Sequence, residues 1–220
     1  LCDDARVVRL TADPRSRFFG ATVPCSCVPL AKRAELAGIP ERYREARLES
    51  MQRLPRKRAS IVWGEGWDGR QSAVIHSFAG DGLTDKTFGT GKTHLACALL
   101  NREIERGRPA QFVDTVDYLD EIKRRFDAGG EQAEAYTARL AAEPLLAIDD
   151  VSEHRLSTDW QRAQVATLID RRHRDRRTTL ITTNFEGPTE VARVLGGALA
   201  SRLREYQWVP VGGEDMRGRS

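Results

Sequence analysis

A chain of 220 residues, 40% apolar and 30% charged with a net charge of +3, is long enough to bury one substantial core. No apolar run approaches the roughly 18 residues that cross a bilayer as a helix, and no basic stretch followed by an apolar one opens the chain at Leu1. Its four cysteines are too few and too uneven for a secreted disulfide scaffold, so a cytoplasmic protein with no membrane partner is expected.

Residues 1–35 hold Cys2, Cys25 and Cys27 and read as a small cysteine-bearing N-terminal segment. Residues 36–60 read as a linker, with prolines at 40 and 55, many charges and a short helical piece around Glu41 to Met51. From 61 to 220 the chain reads as one core in which strands and helices alternate. "SAVIHSF" has the length and β-branching of a strand, and a helix over Thr93 to Arg106 puts Leu95, Leu99 and Ile104 on one side before Gly107. "AQFVD" is the next strand, and "TVDYLDEIKRRF" spaces Leu119, Ile122 and Phe126 as an amphipathic helix. Pro144 ends a further helix and opens the apolar strand "LLAIDD". Asp159 to His173 is helical, with Trp160, Val165, Leu168 and Ile169 expected on its buried side. "TTLITTN" is another strand and "YQWVPV" the last. Such alternation implies an α/β fold, a parallel sheet flanked by helices, with its site at the carboxyl ends of the strands.

Gly89, Gly91, Lys92 and Thr93 read as the end of a phosphate-binding loop, or else as an ordinary glycine turn. In such a loop, backbone N–H groups cradle phosphate oxygens, the lysine reaches the outer phosphates and the hydroxyl completes a Mg2+ shell. Lys86 stands where the first glycine of G-x-x-x-x-G-K-[ST] belongs. Two readings stay open: the loop begins on a non-glycine residue, or Gly80 or Gly82 takes that role and "LTDKTF" loops out. Asp149-Asp150 closes an apolar strand, as needed for a water-mediated hold on Mg2+ and for activation of an attacking water. Asn184, at the tip of "TLITTN", could orient that water; otherwise it is a turn or cap asparagine. "GGALASRLRE" displays Arg202 and Arg204, either as a cation offered to a neighbour's phosphate or as surface salt-bridge formers. Arginine clusters at 53–58 and 171–177 suit a phosphate backbone or a solvated face.

In order and spacing, "CSC" with "IPERYREARLE", "GTGKTHLACALL", "FVDTVDYLDEIKRRF", "LLAIDDVS", "DWQRAQVATLIDRRHRDRRTTLITTNF" and "LASRLRE" resemble the AAA+ ATPases of the DnaC/DnaI-type helicase loader group. That group includes the IstB-type transposition ATPases. The resemblance implies a P-loop AAA+ (ASCE) core with a minimal lid or none, binding ATP or ADP with Mg2+. Lys92 and Thr93 then fall on the Walker A lysine and hydroxyl, with Gly89, Thr90, Gly91 and His94 beside the nucleotide. Asp149 and Asp150 fall on the Walker B pair, Thr93 and Asp149 serving Mg2+. Asn184 falls on sensor 1, Arg202 on an arginine finger that acts through self-association, and Arg217 on a basic residue near the family's C-terminus. The resemblance also implies a zinc module in which Cys25 and Cys27 form the later ligand pair and Cys2 remains of the first. Structural zinc takes four ligands and three are present, so ordinary loop thiols are the other reading.

The leading expectation is thus a weak ATPase that loads a hexameric replicative helicase with single-stranded DNA, touched by Lys123, Arg124 and Arg125. The alternatives are an IstB-type transposition helper on duplex DNA and a nucleotide-binding adaptor with little turnover.

Overall fold

The computed structural model describes residues 6–10, 16, 18, 21–51, 58–77, 89–127 and 130–212. Cys2, Gly80, Gly82, Lys86, Arg217 and the basic residues Arg53, Arg56 and Lys57 lie outside the described residues. A short antiparallel hairpin, β1 (Val7–Arg9) with β2 (Thr22–Pro24), precedes helices α1 (Leu30–Leu36) and α2 (Arg58–Gly66). The alternating part follows: β3 (Ala73–Ser77), α3 (Lys92–Glu105), β4 (Gln111–Asp114), α4 (Thr115–Asp127), α5 (Gly130–Ala142) and β5 (Leu145–Asp149). It continues through α6 (Asp159–Arg174), β6 (Thr178–Thr183), α7 (Pro188–Leu195), α8 (Gly197–Leu203) and β7 (Gln207–Val211).

Strands β3 to β7 form one sheet in the order β4-β5-β6-β3-β7, every pair parallel. The central strands β3, β5 and β6 are buried at every residue, which explains their continuous apolar or β-branched sequences. Side chains alternate between the two faces. Ala73, Ile75, Leu145, Ala147 and Leu180 enter a core closed by α1, α2 and α3, whereas Val74, Leu146, Ile148 and Ile181 enter one closed by α4 to α8. Helix α6 starts on a capping box in which Thr158 and Gln161 satisfy each other's backbone N–H groups.

Two expectations about helix faces are corrected. Leu119 and Ile122 are buried, but Phe126 is 65% exposed, because the last turn of α4 runs past the buried face where the chain turns into α5. Trp160 is 41% exposed. At 100° per residue it lies about 140° around α6 from the buried Val165, so its spacing never matched that face.

The described part of the segment read as a linker is packed. Ile39, Ala46, Leu48 and Met51 are buried against α3, and the buried Asn101 of α3 donates to the carbonyls of Tyr43 (3.0 Å) and Ala46 (3.1 Å). Between Ala37 and Met51 helical structure is confined to the 3-10 turns Glu41–Tyr43 and Glu49–Met51, and α2 begins at Arg58. Just upstream, Phe112 N–H on the outer edge of β4 donates to Ala37 O (2.7 Å). Gly38 makes this approach possible: its φ is +76°, and a Cβ there would lie 2.7 Å from Phe112 O. On the opposite edge, β7 carries the exposed Pro210. In the N-terminal segment Cys25 is buried and Cys27 exposed, and no group of three or more His, Cys, Asp or Glu among the described residues could hold a metal ion.

Candidate functional site

A parallel sheet brings the carboxyl ends of its strands to one rim, and there the residues after β3, β5 and β6 meet. Gly89 and Gly91 have φ of 68° and 98°, left-handed conformations that glycine adopts without strain. Gly91 is the N-cap of α3, and no side chain caps that end. The first turn, carrying the positive end of a 14-residue helix, faces this rim, where it favours an anion.

Lys92 opens α3 and ties three elements together. Its Nζ donates to Ser77 Oγ at the end of β3 (2.6 Å) and to Asn184 Oδ1 just beyond β6 (2.7 Å). Thr93 Oγ1 lies 2.9 and 3.0 Å from the two carboxylate oxygens of Asp149. Thr182 on β6 holds both aspartates with one hydroxyl: Oγ1 donates to Asp149 Oδ1 (2.6 Å) and accepts from Asp150 N (2.8 Å). Thr115 Oγ1 donates to Asp149 O from the other side (2.6 Å).

The two carboxylates differ in setting. Burial pushes the Asp149 carboxyl up to about 6, against the hydrogen bonds from Thr182 and Thr93, with Asp114 and Asp150 adding to the rise. Burial acts on Asp150 too, but hydrogen bonds from Arg155 and Ser152, with His154 and Arg155 charges nearby, outweigh it and hold that carboxyl below its usual range. Asp150 also has φ of 56°, a left-handed backbone that aspartate tolerates better than most residues.

These groups line a cavity of about 620 Å³. Gly89, Thr90, Gly91, Lys92, Thr93, His94, Asp149, Asp150 and Asn184 all reach it, so nine expected site residues are brought together. His94 faces upstream structure: its Nε2 lies 2.7 Å from Ser50 Oγ and 3.1 Å from Arg47 O, its ring edge-on to Tyr43. Among the described residues, Arg202, Lys123, Arg124 and Arg125 lie off the cavity lining. Arg202 on α8 has Nε 2.8 Å from Asp170 Oδ1 of α6. Lys123, Arg124 and Arg125 lie on α4, where Arg124 and Arg125 both bond Glu121 and Arg125 also covers the Tyr136 ring at 4.8 Å.

Sequence reasoning missed Thr182, Ser77 and Arg155, and also Arg42, Tyr43, Ser50 and Met51, which line the cavity from the packed segment. Only Thr182 carried a usable signal, a hydroxyl two residues before the strand-tip Asn184.

The model of the family described as "IstB-like ATP binding protein" matches residues 83–220. The replicative helicase loader DnaC of Escherichia coli (strain K12) is 28% identical over 133 residues, covering 60% of this chain and 54% of DnaC. The chain thus spans about half the length of that relative. The crystal structure of the DnaC helicase loader superposes with a TM-score of 0.62 at 25% identity, over 78% of this chain and 99% of that one. AMPPCP-bound DnaA from Aquifex aeolicus shares the fold, with a TM-score of 0.58 at 17% identity over 76% of this chain and 50% of DnaA.

Proposed function

The chain belongs to the IstB-like ATP-binding protein family, and on that premise we propose that it is an ATP-hydrolysing loader acting with single-stranded DNA on a hexameric replicative helicase. The observation that carries the ATPase part is the convergence of Lys92, Thr93, Asp149, Asp150 and Asn184 on one cavity at the N-terminus of α3. The loader part rests on the likeness to DnaC in sequence and fold.

In this reading the phosphates lie against the first turn of α3, and Lys92 exchanges its internal partners for phosphate oxygens. Asp150 takes a proton from a water oriented by Asn184. The water oxygen bonds the terminal phosphorus as the bond from that phosphorus to the bridging oxygen breaks, its electron pair leaving with ADP. Thr93 and Asp149 would hold Mg2+. They fit it, being hard oxygen donors already in contact, one of them a buried carboxylate that gains from a cation. When bound, the ion would neutralise phosphate charge. Arg202 would serve a neighbouring copy after leaving Asp170, and Lys123, Arg124 and Arg125 would face the DNA backbone in competition with Glu121.

The family description keeps a second reading, a transposition helper, because it names the IstB-like proteins. Capture of a hexameric helicase by the purified chain supports the loader; capture of a transposase on duplex DNA instead replaces it. Nucleotide use is tested first by melting the chain with and without Mg·ADP or Mg·ATP, beside Lys92→Ala. Ligand at 100 times its dissociation constant contributes about 2.7 kcal/mol, which raises Tm by about 5–10 °C in a chain of this size. The rise should vanish in Lys92→Ala. No rise in the parent at millimolar nucleotide would sink the ATPase reading.

A further inference from the structure

Both oxygens of Asp150, the group assigned to activate water, carry a donor. Its Oδ1 accepts from Ser152 Oγ (2.9 Å) and its Oδ2 from Arg155 Nε (2.8 Å), with His154 Nε2 3.6 Å away. Each oxygen keeps a second lone pair, but a guanidinium held on Oδ2 neutralises the charge that would draw a proton from water, so the pair weakens Asp150 as a base. Arg155 is also placed to leave. It ends a single 3-10 turn, Glu153–Arg155, its side chain is 42% exposed, and it lines the same cavity as Lys92 and Thr93. A guanidinium suits a phosphate oxygen as well as a carboxylate.

We propose that Arg155 is a phosphate-responsive latch: without nucleotide it occupies the Asp150 carboxylate, and the terminal phosphate of a triphosphate draws it away and frees that carboxylate for water. The proposal rests on the ATPase reading above and adds its control. A diphosphate lacks the group that competes for Arg155, so the latch stays closed after product forms. The step is an exchange of ion pairs, in which no covalent bond changes. Arg155 lies outside the glycine-rich loop and the paired aspartates, so neither motif points to it.

The latch has a thermodynamic signature separate from turnover. Binding a triphosphate must break the Arg155–Asp150 pair, so removing the charge of Asp150 releases Arg155 in advance and tightens triphosphate binding. Asn is a suitable replacement because it tolerates the left-handed backbone at this position. Removing a negative charge near phosphate would also tighten binding without any latch, and a double-mutant cycle separates the two causes.

The experiment is calorimetric titration of the full chain with Mg·AMP-PNP and Mg·ADP, for the parent, Asp150→Asn, Arg155→Gln and the double variant. The expected result is that Asp150→Asn tightens AMP-PNP binding about fivefold or more, and that this gain disappears in the Arg155→Gln background. ADP affinity should change less than about twofold throughout, since that ligand does not open the latch. In steady-state hydrolysis Arg155→Gln should change kcat and leave the inhibition constant of ADP as a competitive inhibitor unaltered. A gain from Asp150→Asn that persists at full size without Arg155 overturns the latch in favour of a simple charge effect. Equal changes for AMP-PNP and ADP overturn it in favour of a structural role for the pair. If the parent binds neither nucleotide, the ATPase reading itself fails.

Discussion

Thr182 offers the sharpest test of how β6 organises the paired aspartates. Its hydroxyl donates to the Asp149 carboxylate at 2.6 Å and accepts from the Asp150 N–H at 2.8 Å, and the residue is 1% exposed. Thr182→Val keeps the shape and β-branching of the side chain and removes both hydrogen bonds. A hydrogen bond to a charged group contributes about 1.5–3 kcal/mol, and a buried N–H left without a partner costs about 1–3 kcal/mol. Asp150 is only partly buried, so its N–H recovers part of that cost and the net loss is about 2–4 kcal/mol. Urea unfolding followed by tryptophan fluorescence at pH 7.5, above the value of about 6 for Asp149, keeps that carboxylate ionised. With an m-value of about 3 kcal/mol/M, the midpoint should fall by about 1 M. Thr182→Ser restores the hydroxyl and should recover most of the loss. A Val variant whose midpoint lies within about 0.2 M of the parent would refute the assignment of both bonds to this hydroxyl.

Two further outcomes follow from groups away from the phosphates. Arg172 is fully buried, and its guanidinium donates to the carbonyls of Leu140 and Ala141 in the last turn of α5, of Glu143 just beyond it, to Thr178 O and to Thr179 Oγ1. Arg172→Met leaves those helix-end carbonyls without their donor and should lower stability by about 2–4 kcal/mol in the same urea assay, whereas a loss below about 0.5 kcal/mol would show that they find other partners. His76 is pushed below its usual value by burial first, against a Ser77 carbonyl bond, with Lys92 lowering it further and Glu186 raising it. A base depressed in the fold adds stability that is present above 6.5 and is lost as pH falls through the folded value. Between pH 7.5 and 5.5, His76→Phe should therefore lose less Tm than the parent; the comparison removes the opposite contribution of Asp149, which is common to both. Equal losses would assign His76 no part in the pH response.

The fold was legible because each β–α unit repeats a local pattern: an apolar run of strand length, a turn, then apolar residues at helical spacing. Leu95, Leu99 and Ile104 followed that pattern into the core. Gly89, Gly91, Lys92 and Thr93 were legible as well, since their chemistry depends on neighbours in sequence. Thr182 was not, because its partners Asp149 and Asp150 lie more than thirty positions away and a threonine in "TTLITT" looks like ordinary strand composition. The segment around Tyr43 misled for a different reason. Its buried residues, Ile39, Ala46, Leu48 and Met51, follow neither a period of two nor of 3.6, since 3-10 turns and coil bury side chains without repeating. Phe126 had the right spacing on a turn that outruns the core, and Trp160 had the wrong spacing from the start.

The treatment of the sheet's two margins restricts how copies of this chain can associate. At β4 the Phe112 N–H is already taken by the Ala37 carbonyl, through a close approach that any side chain at position 38 would block. At β7 Pro210 has no N–H to offer. A parallel sheet grows by adding a strand to a margin with available donors, and these two residues interrupt both margins. A second copy that meets either margin finds a taken donor at Phe112 or a missing one at Pro210, which favours contacts through helix faces and side chains over strand addition. Such contacts can be made and broken within a working cycle, unlike a shared sheet, whose backbone ladder would have to be unzipped each time.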